Sequence, residues 1–268
     1  MTSTTTSAAS RPAETEIRIL HSAEEMEAAS DLAAHIWKVE SAQSHVSPEL
    51  LTALAHAGNY VVGAFRGDEL LAMCVGFFHP PHDHALHSHI AGVRPDAAGT
   101  GLGESLKLHQ RQWCLERGVK RVTWTYDPLV ARNGYFNIHK LGCEVVAYLP
   151  DFYGSMHDGL NRGQHSDRLL VSWPLDGTRV EDSAPDDPGT AALRMVEGLP
   201  VLDLGAVLDA DRCYVEIPSD IEAMRRDDPR CAAQWRLALR HALDGLFSTG
   251  WTVINFDRGG RYRLAKKV

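Results

Sequence analysis

The stretch "VRPDAAGTGLGES", Val93–Ser105, decides how this chain folds. A β-type run, "ALHSHIAGV", leads into it. An amphipathic run leads out, with Leu102, Leu106 and Trp113 on one helical face and Gly118 as a stop. Gly99, Gly101 and Gly103 alternate at this strand-to-helix turn. Glycine adopts backbone conformations closed to other residues, and a helix start presents unpaired N–H groups and the positive end of the dipole. The combination makes a cradle for an anion such as phosphate. The competing reading is a tight turn without a ligand. Two nucleotide motifs are excluded. A triphosphate-binding loop would place Glu104 at its lysine and Ala98 at its first glycine, and a dinucleotide-binding loop would place Glu104 at its third glycine.

Working outward, "EIRILHS" (16–22) reads as a strand and residues 23–38 as a helix. Ser47-Pro48-Glu49 starts a second helix that Gly58 stops. The run from Tyr60 to Pro80 is a hairpin about "RGDE". After the glycine turn come the strand "VKRVTWTYDP", a short helix "ARNGYFNIHKLG", and the strands "CEVVAYL" and "DRLLVSWPL". Residues 176–200 are rich in Asp, Pro and Gly and read as a linker. Beyond it, "CYVEIP", a helix centred on "CAAQWRLALRHALDGLF" and the hairpin "WTVINF"/"YRLAKK" form a second module. The expected division is a disordered Ser/Thr/Ala-rich tail at 1–14, a domain at 15–175, a linker at 176–200 and an α+β module at 201–268. The fold class is α+β: a mixed, mostly antiparallel sheet flanked by helices, with a smaller C-terminal α+β module.

The 268 residues carry a formal charge of −8, which argues against a nucleic-acid or membrane-surface partner. No apolar run reaches the roughly 20 residues of a membrane span, and the N-terminal stretch lacks the apolar core of a signal peptide. The five scattered cysteines contain no CxxC pair, so a reducing cytoplasm is expected and neither disulfides nor structural zinc are.

Val93, Pro95, Gly99, Gly101, Leu102, Gly103 and Leu106 stand as V-x-P-x-x-x-G-x-G-L-G-x-x-L. With the order of elements around it, this pattern resembles the acyl-CoA-binding motif of the GNAT N-acyltransferase superfamily over residues 16–175. "LHSHIAGV", "WTYDPL", "RNGYFNIHKLG" and "SDRLLVSW" are similar to a bacterial branch with a C-terminal extension, some of whose relatives are thought to be N-succinyltransferases. The resemblance implies that the turn holds the pyrophosphate of coenzyme A and that the preceding strand lines the thioester. The implied cofactor-binding residues are Ile90, Ala91, Val93, Ala98, Gly99, Thr100, Gly101, Leu102, Gly103 and Glu104, with Gly92 a bulge point. Asn133 and Asn137, four apart on the helix that borders the pantetheine arm in the family, join them. Two positions depart from the family: Ala98 replaces the usual Gln or Arg, and Ile138 stands where a general-acid Tyr is common.

Acyl transfer to an amine needs a deprotonated nucleophile, a stabilised oxyanion and a departing thiolate. "HPPHDHALHSH" supplies histidines, of which His89 and then His87 are the base candidates; they share one face of a strand. A zinc site and a hydrogen-bonded structural role stay open for them. Tyr126 and Asp127, at the end of their strand, could meet the substrate amine, or Asp127 could cap a turn. Arg236 and Arg240, with Arg168, could take a carboxylate, or lie on a solvated, ion-paired face. The expectation is a cytoplasmic acyl-CoA-dependent N-acyltransferase. It would use acetyl-CoA or succinyl-CoA and no metal, with a small amine or amino acid as acceptor and a homodimer as the oligomer to consider. The rivals are a degenerate fold that binds acyl-CoA without turnover, and a metal-dependent hydrolase.

Overall fold

The computed structural model describes residues 15–39, 46–154, 165–177, 187 and 189–267. The chain divides into two compact units, Met1–Phe77 with Ser88–Trp113 and Phe78–His87 with Cys114–Val268. The larger sheet has the strand order β1-β2-β3-β4-β5-β7-β6, and a second sheet of five strands lies in the C-terminal region. The class is α+β, as the sequence implies.

In the first unit, β1 (Thr15–Ile19) pairs antiparallel with β2 (Tyr60–Arg66), and β2 with β3 (Glu69–Phe78). Helices α1 (Ala23–Trp37) and α2 (Pro48–His56) cover them. The start of α1 is fixed by a reciprocal cap: Glu25 N–H donates to Ser22 Oγ, and Ser22 N–H donates to the Glu25 carboxylate. Leu20, Met26, Ala29, Leu32, Val61 and Met73 fill the core between helices and sheet. Strand β4 (Ala85–Val93) enters this unit at Ser88 and leads through the glycine turn to α3 (Leu102–Leu115).

In the second unit, the start of β4 pairs parallel with β5 (Arg121–Tyr126) over Ala85↔Arg121, Leu86↔Val122 and His87↔Thr123, where the ladder ends. Strand β7 (Arg168–Pro174) runs antiparallel to β5 and to β6 (Glu144–Leu149). Between β5 and β6 the chain makes α4 (Ala131–Gly134) and then a π-helical turn over Tyr135–Lys140. The C-terminal sheet comprises β8 (Thr190–Val196), β9 (Leu199–Leu202), β10 (Arg212–Glu216), β11 (Trp251–Phe256) and β12 (Arg261–Lys266), ordered β11-β12-β10-β8-β9. Helix α5 (Ile221–Asp227) precedes α6 (Pro229–Ser248). Helix α6 buries Ala232, Trp235, Leu239, Ala242, Leu243 and Leu246, a 3.6-period stripe, and Arg236 within it.

The domain division differs from the expected one. Thr190–Val196 and the start of β9 fall inside the presumed linker, and the module at 201–268 shares a unit with β5, β6 and β7. Asp/Pro/Gly-rich text marks only the front of that segment and hides the β-type run "TAALRMV" behind it. The module joins the earlier strands through buried side chains far apart in sequence, such as Tyr126 and Tyr262. The tail at 1–14 lies outside the described residues.

Candidate functional site

The glycine turn is held in shape by its neighbours. Arg94 donates to Asp96 at 2.5 and 2.9 Å and to Glu69 of β3 at 2.6 Å. Thr100 Oγ1 donates to the Ala97 carbonyl at 2.7 Å. Gly99 and Gly101 have φ of +78° and +86°, and a Cβ at either would meet nothing within 4 Å. Backbone conformation, not crowding, therefore selects glycine there. Gly103 has an ordinary φ, and its Cβ would lie 3.8 Å from Val93 Cγ2, so it serves the close approach of helix to strand. The Gly101 carbonyl accepts from Glu104 N and Ser105 N, both at 3.0 Å. The amides of Leu102 and Gly103 thus sit in the first turn of α3, where a helix has no carbonyl to offer them. Ala98, Gly99, Thr100 and Gly101 are exposed, Leu102 is buried as an anchor, and Glu104 is half-buried. A loop of this kind presents backbone donors to an anion.

Along β4, Ile90 packs on the core beneath α1, and Ala91 is exposed. Gly92, expected as a bulge point, has a packing reason instead. A Cβ there would strike Trp37 at 2.7 Å and Ile36 at 2.8 Å. His89 is exposed, its ring 5.8 Å from Phe77. His87, half-buried, has Nδ1 at 3.1 Å from Thr123 Oγ1. The same hydroxyl lies 3.0 Å from His79 Nε2, and His79 Nδ1 is 3.8 Å from Asp83. The sequence marks His79 only as one of the histidines of "HPPHDHALHSH", and it does not single out Thr123. The alternation of Thr123 with buried Val122 and Trp124 gives no hint that its hydroxyl bridges two imidazoles. Among the described residues no three His, Cys, Asp or Glu groups converge as a metal would need.

Tyr126 and Asp127 do not meet an open sheet end. Tyr126 is buried, its hydroxyl 3.3 Å from that of Tyr262, which donates to the Pro128 carbonyl at 2.7 Å. Burial pushes the Tyr126 phenol well above its usual range. Asp127 Oδ1 accepts from Leu129 N at 3.0 Å, the turn cap weighed above. Its Oδ2 accepts from Arg225 Nη2 at 2.5 Å and Arg236 Nη2 at 2.8 Å, with Arg168 Nη1 at 4.0 Å. Burial would raise this carboxyl, but Arg236 and Arg225 outweigh it and hold Asp127 far below the ordinary carboxylate range. Arg240 does not join Asp127. It grips Asp167 with Nε at 3.0 Å and Nη2 at 2.5 Å, and the Tyr148 hydroxyl donates to the same carboxylate at 2.5 Å. Arg225 was missed in the sequence, where it reads as the end of an ordinary charged helix. Asn137 is buried in the π-helical turn, and Asn133 is half-buried in α4, which leads into it. Ile138 is buried in the core.

Residues 4–136 match the model of the acetyltransferase (GNAT) domain. No curated protein matches the chain by sequence. Among solved structures, the ribosomal-protein-S18-alanine N-acetyltransferase of Escherichia coli shares 14% identity over 63% of this chain and 98% of its own, with a TM-score of 0.50. An aminoglycoside 6′-acetyltransferase type Ii shares 18% identity over 61% of this chain and 99% of its own, with a TM-score of 0.49. The PaiA N-acetyltransferase of Thermoplasma acidophilum, in complex with coenzyme A, shares 17% over 60% and 99%, with a TM-score of 0.45.

Proposed function

We propose, for a chain that belongs to the GNAT superfamily of acyl-CoA-dependent N-acyltransferases, that it moves an acetyl or succinyl group from acyl-CoA to a small amine or amino acid. The observation that carries the reading is the glycine turn: two glycines at positive φ, open space beside both, and the first-turn amides of α3 behind them. The backbone N–H groups of Leu102 and Gly103 would take the pyrophosphate. Ala98 adds no side-chain donor, so these amides carry the contact alone.

In the transfer, the amine lone pair attacks the thioester carbon, and the C–S bond breaks as the thiolate leaves. The proton lost by the amine passes to His89, directly or through water; its ring is exposed on β4. His87 shares its Nδ1 with Thr123 and acts better as a positioning residue. A backbone N–H of Ile90–Val93 would serve the oxyanion. With Ile138 in the core, no general acid stands at that position; a thiol pKa of about 8.5 lets the thiolate leave unaided. The acceptor is a small molecule, and the cytoplasm is the compartment the free thiols suit.

Thermal stability of the purified protein against CoA, acetyl-CoA and succinyl-CoA tests the reading. Ligand at 100 times its Kd adds about 2.7 kcal/mol, a rise of several degrees. Absence of any shift at millimolar ligand would end it. A shift without thiol release across a panel of amines would select the second reading, acyl-CoA binding without turnover, which buried Ile138 favours.

A further inference from the structure

The β8–β9 hairpin departs from the pattern of a solvated sheet edge. Its strands meet at Glu197-Gly198, with φ of +51° and +84°, the two-residue turn of a tight hairpin. Val196 pairs with Leu199, Met195 with Pro200 and Arg194 with Val201, and β9 is the last strand of its sheet. A hairpin with one solvated face alternates apolar and polar side chains. Leu199-Pro200-Val201-Leu202 contains no polar residue. Val196, Leu199 and Val201 therefore lie on one face and Met195 and Leu202 on the other, around the same free edge. These five are 36–50% exposed, and Leu208 is 72% exposed. Six of the sixteen large apolar side chains exposed among the described residues fall within residues 195–208, which makes a patch rather than scatter.

The patch is presented on a fixed frame. The Gly198 carbonyl accepts from Trp235 Nε1 at 3.0 Å and from Cys231 Sγ at 3.7 Å, which ties the turn to α6. The Met195 N–H donates to Glu216 Oε2 at 2.8 Å. A partner would therefore not bear the cost of ordering the hairpin.

Three observations select the partner. The Met195 N–H turns away from β9, so Pro200 opposite it turns its nitrogen away from β8, toward the open edge. Proline has no N–H to give there, so an incoming peptide cannot extend the sheet along β9. The contact must be made by side chains. The six side chains expose on the order of 400 Å², against the roughly 500 Å² of apolar surface in one half of a standard homodimer interface. The charges are self-complementary: exposed Arg194 and Glu197 flank Val196, and a two-fold axis at the hairpin brings Arg194 of each copy to Glu197 of the other.

We infer that the β8–β9 hairpin is the contact surface of a homodimer, in which two copies of this chain lay their hairpins together about a two-fold axis. The C-terminal extension then has a role in assembly.

Light scattering on the full chain, separated by size, tests it. At about 100 μM, well above a micromolar Kd, the expected mass is twice that of one chain. Leu199→Glu with Val201→Glu should raise the dimer dissociation constant at least 100-fold and leave the circular dichroism spectrum unchanged. If that pair fails to fold, Leu208→Glu decides, since a carboxylate at a 72% exposed position stays in water; a tenfold loss is expected. Arg194→Glu alone should weaken the dimer about tenfold, and Arg194→Glu with Glu197→Arg should restore it. A single-chain mass at about 100 μM overturns the proposal and leaves the patch to a different protein. A dimer indifferent to the glutamate variants overturns it in favour of another face. Additive losses in the charge-exchange pair overturn the two-fold pairing of hairpins.

Discussion

The glycine turn and the arginine cluster both gather N–H donors, one from backbone and the other from side chains. The turn takes its donors from neighbouring residues, and φ of +78° and +86° at two glycines sets their direction. The cluster takes its donors from β7, α5 and α6, with Arg236 lying 109 residues from its partner Asp127. Backbone donors carry no net charge and need no counter-ion. Side-chain donors in the interior are cations, and they stay there only while a carboxylate faces them. The turn should therefore degrade by degrees when altered, and the cluster should fail at a stroke.

Asp127→Asn gives the largest expected effect. It leaves three buried guanidiniums without their shared carboxylate, and breaking a buried pair in this way costs about 3–5 kcal/mol. Urea unfolding of variant and parent measures it; a loss below about 1 kcal/mol would put the cluster on a level with surface ion pairs and erase the contrast. The pH dependence follows from the same residue. The Asp127 pKa is depressed in the folded protein, so its contribution is complete above the ordinary carboxylate value of about 4 and is lost as pH falls toward the folded value. The parent should lose stability in that acid window, and the part due to Asp127 should be missing from Asp127→Asn.

Gly101→Val comes next. A β-branched residue at a φ of +86° costs about 1–3 kcal/mol of strain, so the loop shifts rather than the fold collapsing. Calorimetry should show CoA affinity falling about tenfold, the equivalent of 1.4 kcal/mol, with the melting temperature lowered by only a few degrees. Undiminished CoA affinity would mean that the turn's shape is not what binds.

The same contrast explains what the sequence disclosed. Gly99, Gly101 and the Leu102–Leu106–Trp113 face lie within one local stretch, so the strand, turn and helix could be read from it directly. The hairpins β2–β3 and β11–β12 were legible for the same reason. The partners of Asp127 were not. Arg168 and Arg236 could be proposed for carboxylate binding, but nothing local says that they share one oxygen of Asp127 with Arg225. Tyr126 looked like a residue at a sheet's open end because Tyr262, which covers it, is 136 residues away. The β8 strand was hidden by the composition of the text before it. Local backbone rules survive in sequence; long-range burial does not.

Thr123 gives the smallest expected effect and the sharpest chemical question, because it mixes the two kinds of region. It is a strand residue set by local alternation, yet its hydroxyl bridges His79 and His87. One hydroxyl has a single proton to give. With both imidazoles neutral, it donates to one of them and accepts from the other, so His79 Nε2 and His87 Nδ1 hold opposite roles. Nitrogen-15 spectra of the parent should show one fixed tautomer at each residue. Thr123→Val removes the bridge and should mix the tautomers, at a stability cost of about 1 kcal/mol. If His89 is the base, its replacement by Ala should lower kcat by about 100-fold, and Thr123→Val should change kcat by a far smaller factor. A comparable loss in Thr123→Val would transfer the proton to His87 and make the bridge part of the chemistry.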